Sequence, residues 1–247
     1  MKEISQYLGV DGCLFGWISV ELNKEIEFEI RQFTSIEELW KQYNKAKLIL
    51  IDIPIGLRDK GSLPRICDIA ARKFLSNKRS ASIFPVPCRS AVYASDYSDA
   101  NKINRNLTGK GLSKQTWNIT GKIREVDSLL IENNEAKKIF IESHPEICFA
   151  ALANGNPMKY YKKNESGIKE RLSILNLNSN FNISINDLEF QKSKMKNVKI
   201  DDILDAWILA VSAIKGKENL QFLPEKYELD SKGLPMRIAY SHLNYKI

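Results

Sequence analysis

Residues 47–56, KLILIDIPIG, form a nearly continuous apolar run with a single acidic residue, Asp52. A run of this kind is typical of a central strand that is covered on both faces of a sheet. Two earlier stretches, GWISVEL (16–22) and EIEFEIRQF (25–33), alternate in polarity and follow a short apolar run at 6–12. Because the joints between these three strands are short, we predict an antiparallel meander that precedes the central strand.

A helix is predicted between the meander and the central strand. The segment SIEELWKQY (35–43) has glutamates in its first turn, and Thr34 or Ser35 can cap it. A strand that follows such a helix is expected to lie parallel to the first strand. Further on, the pattern predicts helices at 65–75, 113–130, 163–176 and 200–214, a strand over 136–149 with a stop at Pro145, an exposed asparagine-rich loop at 176–190, and a short covering strand at 233–240.

This order predicts an α/β fold with a ribonuclease H-like mixed sheet, antiparallel in its first three strands, parallel in its later ones, and flanked by helices. We expect one such domain over residues 1–247, with a basic, mainly helical insertion at about 58–136. No apolar run approaches the roughly 18 residues that a membrane span needs, and the N-terminus lacks a secretory signal pattern. The four cysteines are scattered, which is typical of reduced thiols in the cytoplasm.

The positive charge of the chain is concentrated in one third of its length. The net charge is +7, yet residues 58–124 alone contain 14 basic and 4 acidic side chains. A polyanionic partner such as a nucleic acid would explain this concentration. A basic surface that serves solubility is the alternative, and charge alone does not separate the two.

Two aspartates stand at the ends of predicted buried strands. Asp11 lies in LGVDG (8–12), and Asp52 interrupts the central strand. Turn chemistry, from Gly12 or from Pro54, is the alternative for each. If the first and fourth strands are neighbours, the two carboxylates meet at one sheet edge, where they repel each other unless a cation lies between them.

The segment DDILDAWILAVSA (201–213) predicts the most apolar helix of the chain and carries two further candidate ligands, Asp202 and Asp205. Their spacing places them on one helical face. Asp202 is also favoured in a first turn by the helix dipole. Asp205 has apolar neighbours on every side and no adjacent basic residue, so we expect it to bind a metal. Oxygen ligands alone favour Mg²⁺ or Mn²⁺.

Glu142 and His144 stand in FIESHPE (140–146), where strand alternation would place them on one face. A partly buried, hydrogen-bonded imidazole is the alternative for His144. For Glu146, a salt bridge to the basic insertion is an alternative to any catalytic role.

A set of motifs in a fixed order resembles a known family nearly from end to end. The motifs are GVDGCLFGW, IDIPIGL, RICDIAARKFL, SIFPVPCR, GLSKQTWNITGKIREVD, ESHPE, DDILDA and GLPMRIAY. They are similar to those of the predicted ribonuclease H-like nuclease family, also called domain of unknown function 429. More distantly, the carboxylate pattern resembles that of Holliday-junction resolvases, in which the acid at the position of Asp52 is commonly glutamate. Glu142 with His144 is an addition of the family itself.

The resemblance implies a metal-dependent nuclease that hydrolyses phosphodiester bonds with two carboxylate-held Mg²⁺ or Mn²⁺ ions. The implied metal ligands are Asp11, Asp52, Asp202 and Asp205, with Glu142 as a further catalytic residue. Side chains expected to face the metal site and bind substrate phosphates are Arg65, Arg72, Arg89, Lys114, Gln115, Lys122 and His144. Structural roles for the insertion residues are an equally open alternative.

Two other classes of function stay open at this point. A sugar kinase or actin-like ATPase also begins with an aspartate followed by glycine, but GVDGCLFGW lacks the hydroxyl residue of that phosphate-binding hairpin. A non-catalytic protein that binds nucleic acid or a nucleotide needs only the basic insertion. The sequence does not distinguish RNA from DNA, and it gives no oligomeric state.

Overall fold

A five-stranded mixed sheet organises the protein, as seen in a computed structural model that describes residues 6–23 and 27–242. The strands are β1 (Tyr7–Cys13), β2 (Gly16–Leu22), β3 (Phe28–Phe33), β4 (Leu48–Ile51) and β5 (Phe140–Glu142). Their order in the sheet is β3-β2-β1-β4-β5. The first three strands pair antiparallel, whereas β4 is parallel to both β1 and β5. The predicted ribonuclease H-like mixed sheet is confirmed.

Helices cover this sheet, and a small second sheet follows it. The helices are α1 (Ile36–Tyr43), α2 (Ile66–Arg79), α3 (Arg89–Val92), α4 (Tyr97–Thr108), α5 (Lys114–Glu132), α6 (Asn134–Ile139), α7 (Pro145–Leu152), α8 (Glu165–Asn178), α9 (Ile185–Ser193) and α10 (Ile200–Ala213). Strands β6 (Leu220–Leu229) and β7 (Pro235–Ser241) form an antiparallel pair. Among the described helices, none has the length and apolar character that a bilayer crossing requires.

The apolar run of β4 is explained by two hydrophobic cores, one on each face of the sheet. Leu48 and Leu50 belong to the core that α10 and α7 build, while Ile49 and Ile51 belong to the core under α1 and α5. Successive side chains of a strand point to opposite faces, so a strand between two cores is apolar at every position.

Helix α5 is tied to the sheet by one carboxylate. The Oε2 atom of Glu125 accepts hydrogen bonds from Trp17 Nε1 at 2.9 Å and from the Ile36 amide at 3.0 Å. Trp17 belongs to β2, and Ile36 is the first residue of α1. The segment between β4 and β5, which is mostly helical, is therefore joined to both the sheet and α1.

Several elements differ from the sequence prediction. The strand around Glu142 is short, because Pro145 occupies the first turn of α7, where its missing amide costs nothing. Helix α9 replaces a predicted loop, and a reciprocal capping box between Ser184 and Asp187 begins it. Helix α4, which Asp96 caps, and strand β6 were not predicted. In each case a local cap or a tertiary partner outweighs a weak hydrophobic pattern.

Close approach of β1 and α10 requires glycine at position 9. A Cβ atom at Gly9 would lie 2.0 Å from the carbonyl oxygen of Ala206 and 2.3 Å from the amide nitrogen of Ala210. Both atoms belong to the helix backbone, so neither can move without shifting α10. The helix therefore rests directly on the strand backbone at this point.

We expect Gly9→Ala to lower the free energy of unfolding by about 3 kcal/mol, because the added methyl group must push α10 away from β1. Gly121→Ala is the matched control. Gly121 lies within α5 with open space around its Cα, so alanine should raise stability by about 0.5–1 kcal/mol through helix propensity. Urea denaturation followed by circular dichroism measures both. Unchanged stability of Gly9→Ala would contradict this account of the packing.

Candidate metal centre

Strand register brings Asp11 and Asp52 together beneath α10. Val10 lies opposite Ile51 in the parallel pair, and the Asp52 amide donates to the Val10 carbonyl at 2.9 Å. Asp11 follows Gly9 by two positions and so lies on the face of β1 that contacts α10. Asp52 follows Leu50 by two positions and continues the same face of β4.

Helix α10 adds Asp202 and Asp205 to this pair. Asp205 directly precedes Ala206, the residue whose carbonyl approaches Gly9. The carboxylates of Asp52, Asp205 and Asp202 all act electrostatically on Asp11. We call Asp11, Asp52, Asp202 and Asp205 the acidic cluster. Asp11 and Asp205 are buried, while Asp52 and Asp202 are partly exposed, so the cluster opens toward solvent on one side.

Burial and mutual repulsion make the charges of the acidic cluster costly. Burial, followed by the charges of Asp52 and Asp205, raises the pKa of Asp11 well above its usual value. Burial likewise raises the pKa of Asp52 and raises that of Asp205 to about 6. Burial raises the pKa of Asp202, and this effect outweighs the hydrogen bond from the Lys199 amide, which acts to lower the pKa.

One lysine supplies positive charge to the acidic cluster. Lys162 lies between α7 and α8, and its Nζ is 2.5 Å from Asp205 Oδ2 and 3.8 Å from Asp201 Oδ2. Its charge also acts to lower the pKa of Asp11 and Asp52. Burial opposes the charged form of Lys162, yet the carboxylates of Asp205 and Asp11 outweigh it and raise the lysine pKa. Lys162 could not be predicted as a partner from the sequence, because it stands some forty positions before Asp205.

The acidic cluster offers the carboxylate oxygens that a hard divalent cation prefers, although in the described residues no three of its carboxylates have oxygen atoms that all lie within 4.8 Å of one another. Four carboxylates face one ammonium group, so negative charge remains in excess. Asp205 is 2% exposed, and its Oδ1 atom has no hydrogen-bond partner in the described part of the chain. A buried carboxylate oxygen without a partner is costly unless a cation or donor satisfies it. Carboxylate oxygens are the ligands that Mg²⁺ and Mn²⁺ prefer.

Glu142 and Arg65 lie in a separate network of buried ion pairs. Ile51 is the register partner of Glu142, so the carboxylate leaves the sheet on the face away from α10. Arg65 Nη2 is 2.7 Å from Glu142 Oε1 and 2.6 Å from Asp68 Oδ1. Burial raises the pKa of Glu142, whereas Arg65 and the Ile55 amide favour its ionised form.

Arg65, which we predict to bind substrate phosphates, has its guanidinium engaged inside this network. Its side chain is 3% exposed, and Nη1 also donates to the carbonyls of Ile55 and Gly56 at 3.0 and 3.2 Å. Among the residues described, Cys67, Asp68 and Glu142 form a group whose potential ligand atoms all lie within 4.8 Å of one another. Arg65 already binds both carboxylates of that group, so a metal ion there would compete with a guanidinium.

Arg89 also differs from its predicted role. Its guanidinium binds Asp127 through Nη2 at 2.9 Å and Nε at 3.1 Å, and it contacts Asp230 at 2.6 Å. The arginine is buried, so it joins α3, α5 and the turn before β7. The sequence shows this basic residue but not the distant carboxylates that pair with it.

The other predicted basic residues stay closer to solvent. Lys122 Nζ donates to the Gly16 carbonyl at 2.5 Å, and its aliphatic chain packs against Gly12, next to Asp11. Lys114 lies over the Tyr97 ring, 4.1 Å from its centroid. Arg72 donates to the Ile83 carbonyl, and Gln115 is exposed. Lys122 therefore contacts β1 at Gly12, on the face opposite to the Asp11 side chain.

His144 and Glu146 border Asp52 at the start of α7. The His144 Nδ1 atom accepts the Glu146 amide at 3.2 Å, which places the proton of the neutral ring on Nε2. When charged, the ring acts to lower the pKa of Asp52. Glu146 forms ion pairs with the buried Arg171 and, at 3.8 Å, with Arg79 of the predicted insertion.

The comparisons with known proteins give a family match. The model of a family described as "Protein of unknown function (DUF429)" matches residues 9–228. No curated protein and no solved structure matches. All four members of the acidic cluster lie within the matched segment.

In metal-free protein, we expect Asp11→Asn to raise the free energy of unfolding by about 1 kcal/mol or more near neutral pH. The folded state raises the pKa of Asp11, so this carboxyl destabilises the fold once pH rises above about 4, where the unfolded chain loses the proton. Asparagine can still accept the Gly12 amide, which Asp11 Oδ1 now accepts at 2.7 Å.

Thermal unfolding in EDTA, at neutral pH and at about pH 3, measures this effect, and the gain should largely vanish at the acidic pH, where the unfolded chain also keeps the proton. Asp99→Asn, at an exposed position of α4, is the control for the same chemical change. A gain that is equal at both pH values would contradict the electrostatic explanation.

Proposed function

Since the chain belongs to the DUF429 family, whose description assigns no activity, we propose a function from its site: a metal-dependent nuclease that hydrolyses phosphodiester bonds on a ribonuclease H-like fold. The observation that carries this proposal is the acidic cluster itself. Three separate elements, β1, the end of β4 and α10, contribute four carboxylates with one lysine between them. Such an excess of buried negative charge is a device for holding divalent cations.

Asp11, Asp52, Asp202 and Asp205 would hold the Mg²⁺ or Mn²⁺ ions. When bound, such ions lower the pKa of a coordinated water and stabilise negative charge on a phosphodiester. Asp205 offers the buried Oδ1 atom that has no partner in the described residues. Asp202 uses Oδ2 to accept the Lys199 amide at 3.0 Å, which leaves Oδ1 for a ligand role.

The remaining residues around the site bind and orient. Lys122, which contacts β1 at Gly12 on the face opposite to Asp11, would bind a backbone phosphate away from the metal ions. His144 carries its proton on Nε2 beside Asp52 and so can donate to a phosphate oxygen or to the leaving group. Glu142 would position the site without contacting the metal ions. Its carboxylate accepts the Ile55 amide at 2.7 Å and so holds the turn after Asp52.

A nucleic acid is the substrate class that the charge distribution supports. Residues 58–124 carry 14 basic and 4 acidic side chains. Although Arg65 and Arg89 are used internally, Lys114 and Lys122 remain available on α5. Contacts of this kind position a backbone without reading its sequence, so we expect binding that weakens steeply with salt.

Asp11→Asn and Asp205→Asn should each reduce Mn²⁺-dependent cleavage to the metal-free background, because each removes a buried ligand of the acidic cluster. The substrates are labelled single-stranded and duplex DNA, single-stranded RNA, an RNA–DNA hybrid and a four-way junction. Asp99→Asn is the control and should cleave like the wild type. Gel analysis of the products with Mn²⁺, with Mg²⁺ and with EDTA gives the measurement.

Two outcomes would contradict the proposal. Full activity in both purified variants would remove the acidic cluster from the mechanism. Salt-sensitive binding of nucleic acid that ignores Mg²⁺, with no cleavage of any substrate, would identify a non-catalytic binding protein instead.

A further inference from the structure

Lys162 contacts the acidic cluster from a segment whose backbone is hydrogen-bonded to residues outside the cluster. The segment joins α7 to α8, and Arg79 Nε holds it through the Met158 carbonyl at 2.8 Å. Glu170 holds it again through the amides of Lys159 and Tyr160, at 2.8 and 3.0 Å. The Lys162 side chain extends inward from this anchored backbone and is 33% exposed.

In the described residues, every ion pair made by the acidic cluster involves Lys162. The networks around Arg65 and Arg89 differ, because there Glu142 and Asp127 are each met by a planar guanidinium in a bidentate contact. An ammonium on a flexible four-carbon chain is a compact point charge that can enter and leave a site. The acidic cluster is therefore paired with an ammonium group that can leave the site, and not with a rigid guanidinium.

We propose that Lys162 is an internal competitor of the divalent cation: its ammonium holds the acidic cluster together in metal-free protein and leaves Asp205 when a metal ion binds. This inference rests on the proposed function, since it concerns the same site. It gives Lys162 a role in setting the apparent affinity of the acidic cluster for divalent cations.

Competition follows from the shared carboxylate. Lys162 Nζ makes a direct charge-assisted contact with Asp205 Oδ2 at 2.5 Å. A divalent cation on Asp205 Oδ1, which has no partner in the described residues, would share this carboxylate with the ammonium, and two cations at that range repel each other. Metal binding and the Lys162 contact therefore oppose each other, and the intrinsic affinity for the metal is multiplied by the fraction of molecules in which the lysine has left.

The exposure of the side chain gives the lysine a way out. One third of it already meets solvent, so its release needs side-chain rotation and no movement of the anchored backbone. The partly exposed Asp52 and Asp202 leave an opening through which the cation enters.

Isothermal titration of the full-length, metal-stripped protein with Mn²⁺ tests the competition. We expect Lys162→Met to bind Mn²⁺ about tenfold more tightly than the wild type, because no ammonium must be displaced. Lys162→Arg keeps the cation and should not gain affinity. Lys163→Met removes a neighbouring charge that is exposed, and it should match the wild type. If Lys162→Met does not fold, Lys162→Gln takes its place in the comparison.

A second readout follows the lysine itself. Amine labelling analysed by mass spectrometry should modify Lys162 of the wild type faster with Mg²⁺ than with EDTA, because the metal ion frees the ammonium from Asp205. Labelling of Lys163 should be the same in both conditions. A structural lysine that stays in place would show no change with metal.

The outcomes separate this inference from the proposed function. Equal Mn²⁺ affinity in Lys162→Met and wild type, with binding lost in Asp205→Asn, would overturn the competition and leave the metal site standing. Slower labelling of Lys162 in Mg²⁺ would overturn it as well. Absence of Mn²⁺ binding in every variant would overturn both the competition and the proposed metal centre.

Discussion

The contact between Gly9 and the backbone of α10 determines where the acidic side chains of this protein meet. Because the helix lies directly on β1, Asp205 is brought down to the level of Asp11, and parallel pairing with β4 adds Asp52. None of these carboxylates is close to another in sequence. The site is thus a consequence of sheet order and of one position at which no side chain fits.

The buried charges of the protein fall into two kinds that are handled differently. Arg65 and Arg89 each bind two carboxylates through hydrogen-bonded contacts, and these networks join helices to the sheet. The acidic cluster has one lysine for four carboxylates and a buried oxygen without a partner among the described residues. This imbalance, rather than the number of acidic residues, distinguishes the cluster from the two arginine networks.

Much of the sheet could be predicted because its signals are local. The two-sided apolar pattern of β4 and the short joints of the meander are properties of neighbouring residues. Asp205 could be identified because an isolated charge in an apolar helix is conspicuous. The partners of Arg89 and Asp205, and the pairing of Arg65 with Glu142, could not, since ion pairs between distant segments leave no periodic pattern. The face of the sheet on which Glu142 lies could not be predicted either, because it depends on register with Ile51.

The anchoring of α5 by Glu125 has a consequence for how any polyanion is bound. One carboxylate oxygen holds Trp17 and the start of α1 together, so the helix that carries Lys114 and Lys122 moves with the sheet as one body. The conformational entropy of these side chains is therefore lost when the protein folds and not when a ligand binds. Such a surface selects ligands by their own shape, since a rigid template cannot wrap around a partner that does not already match it.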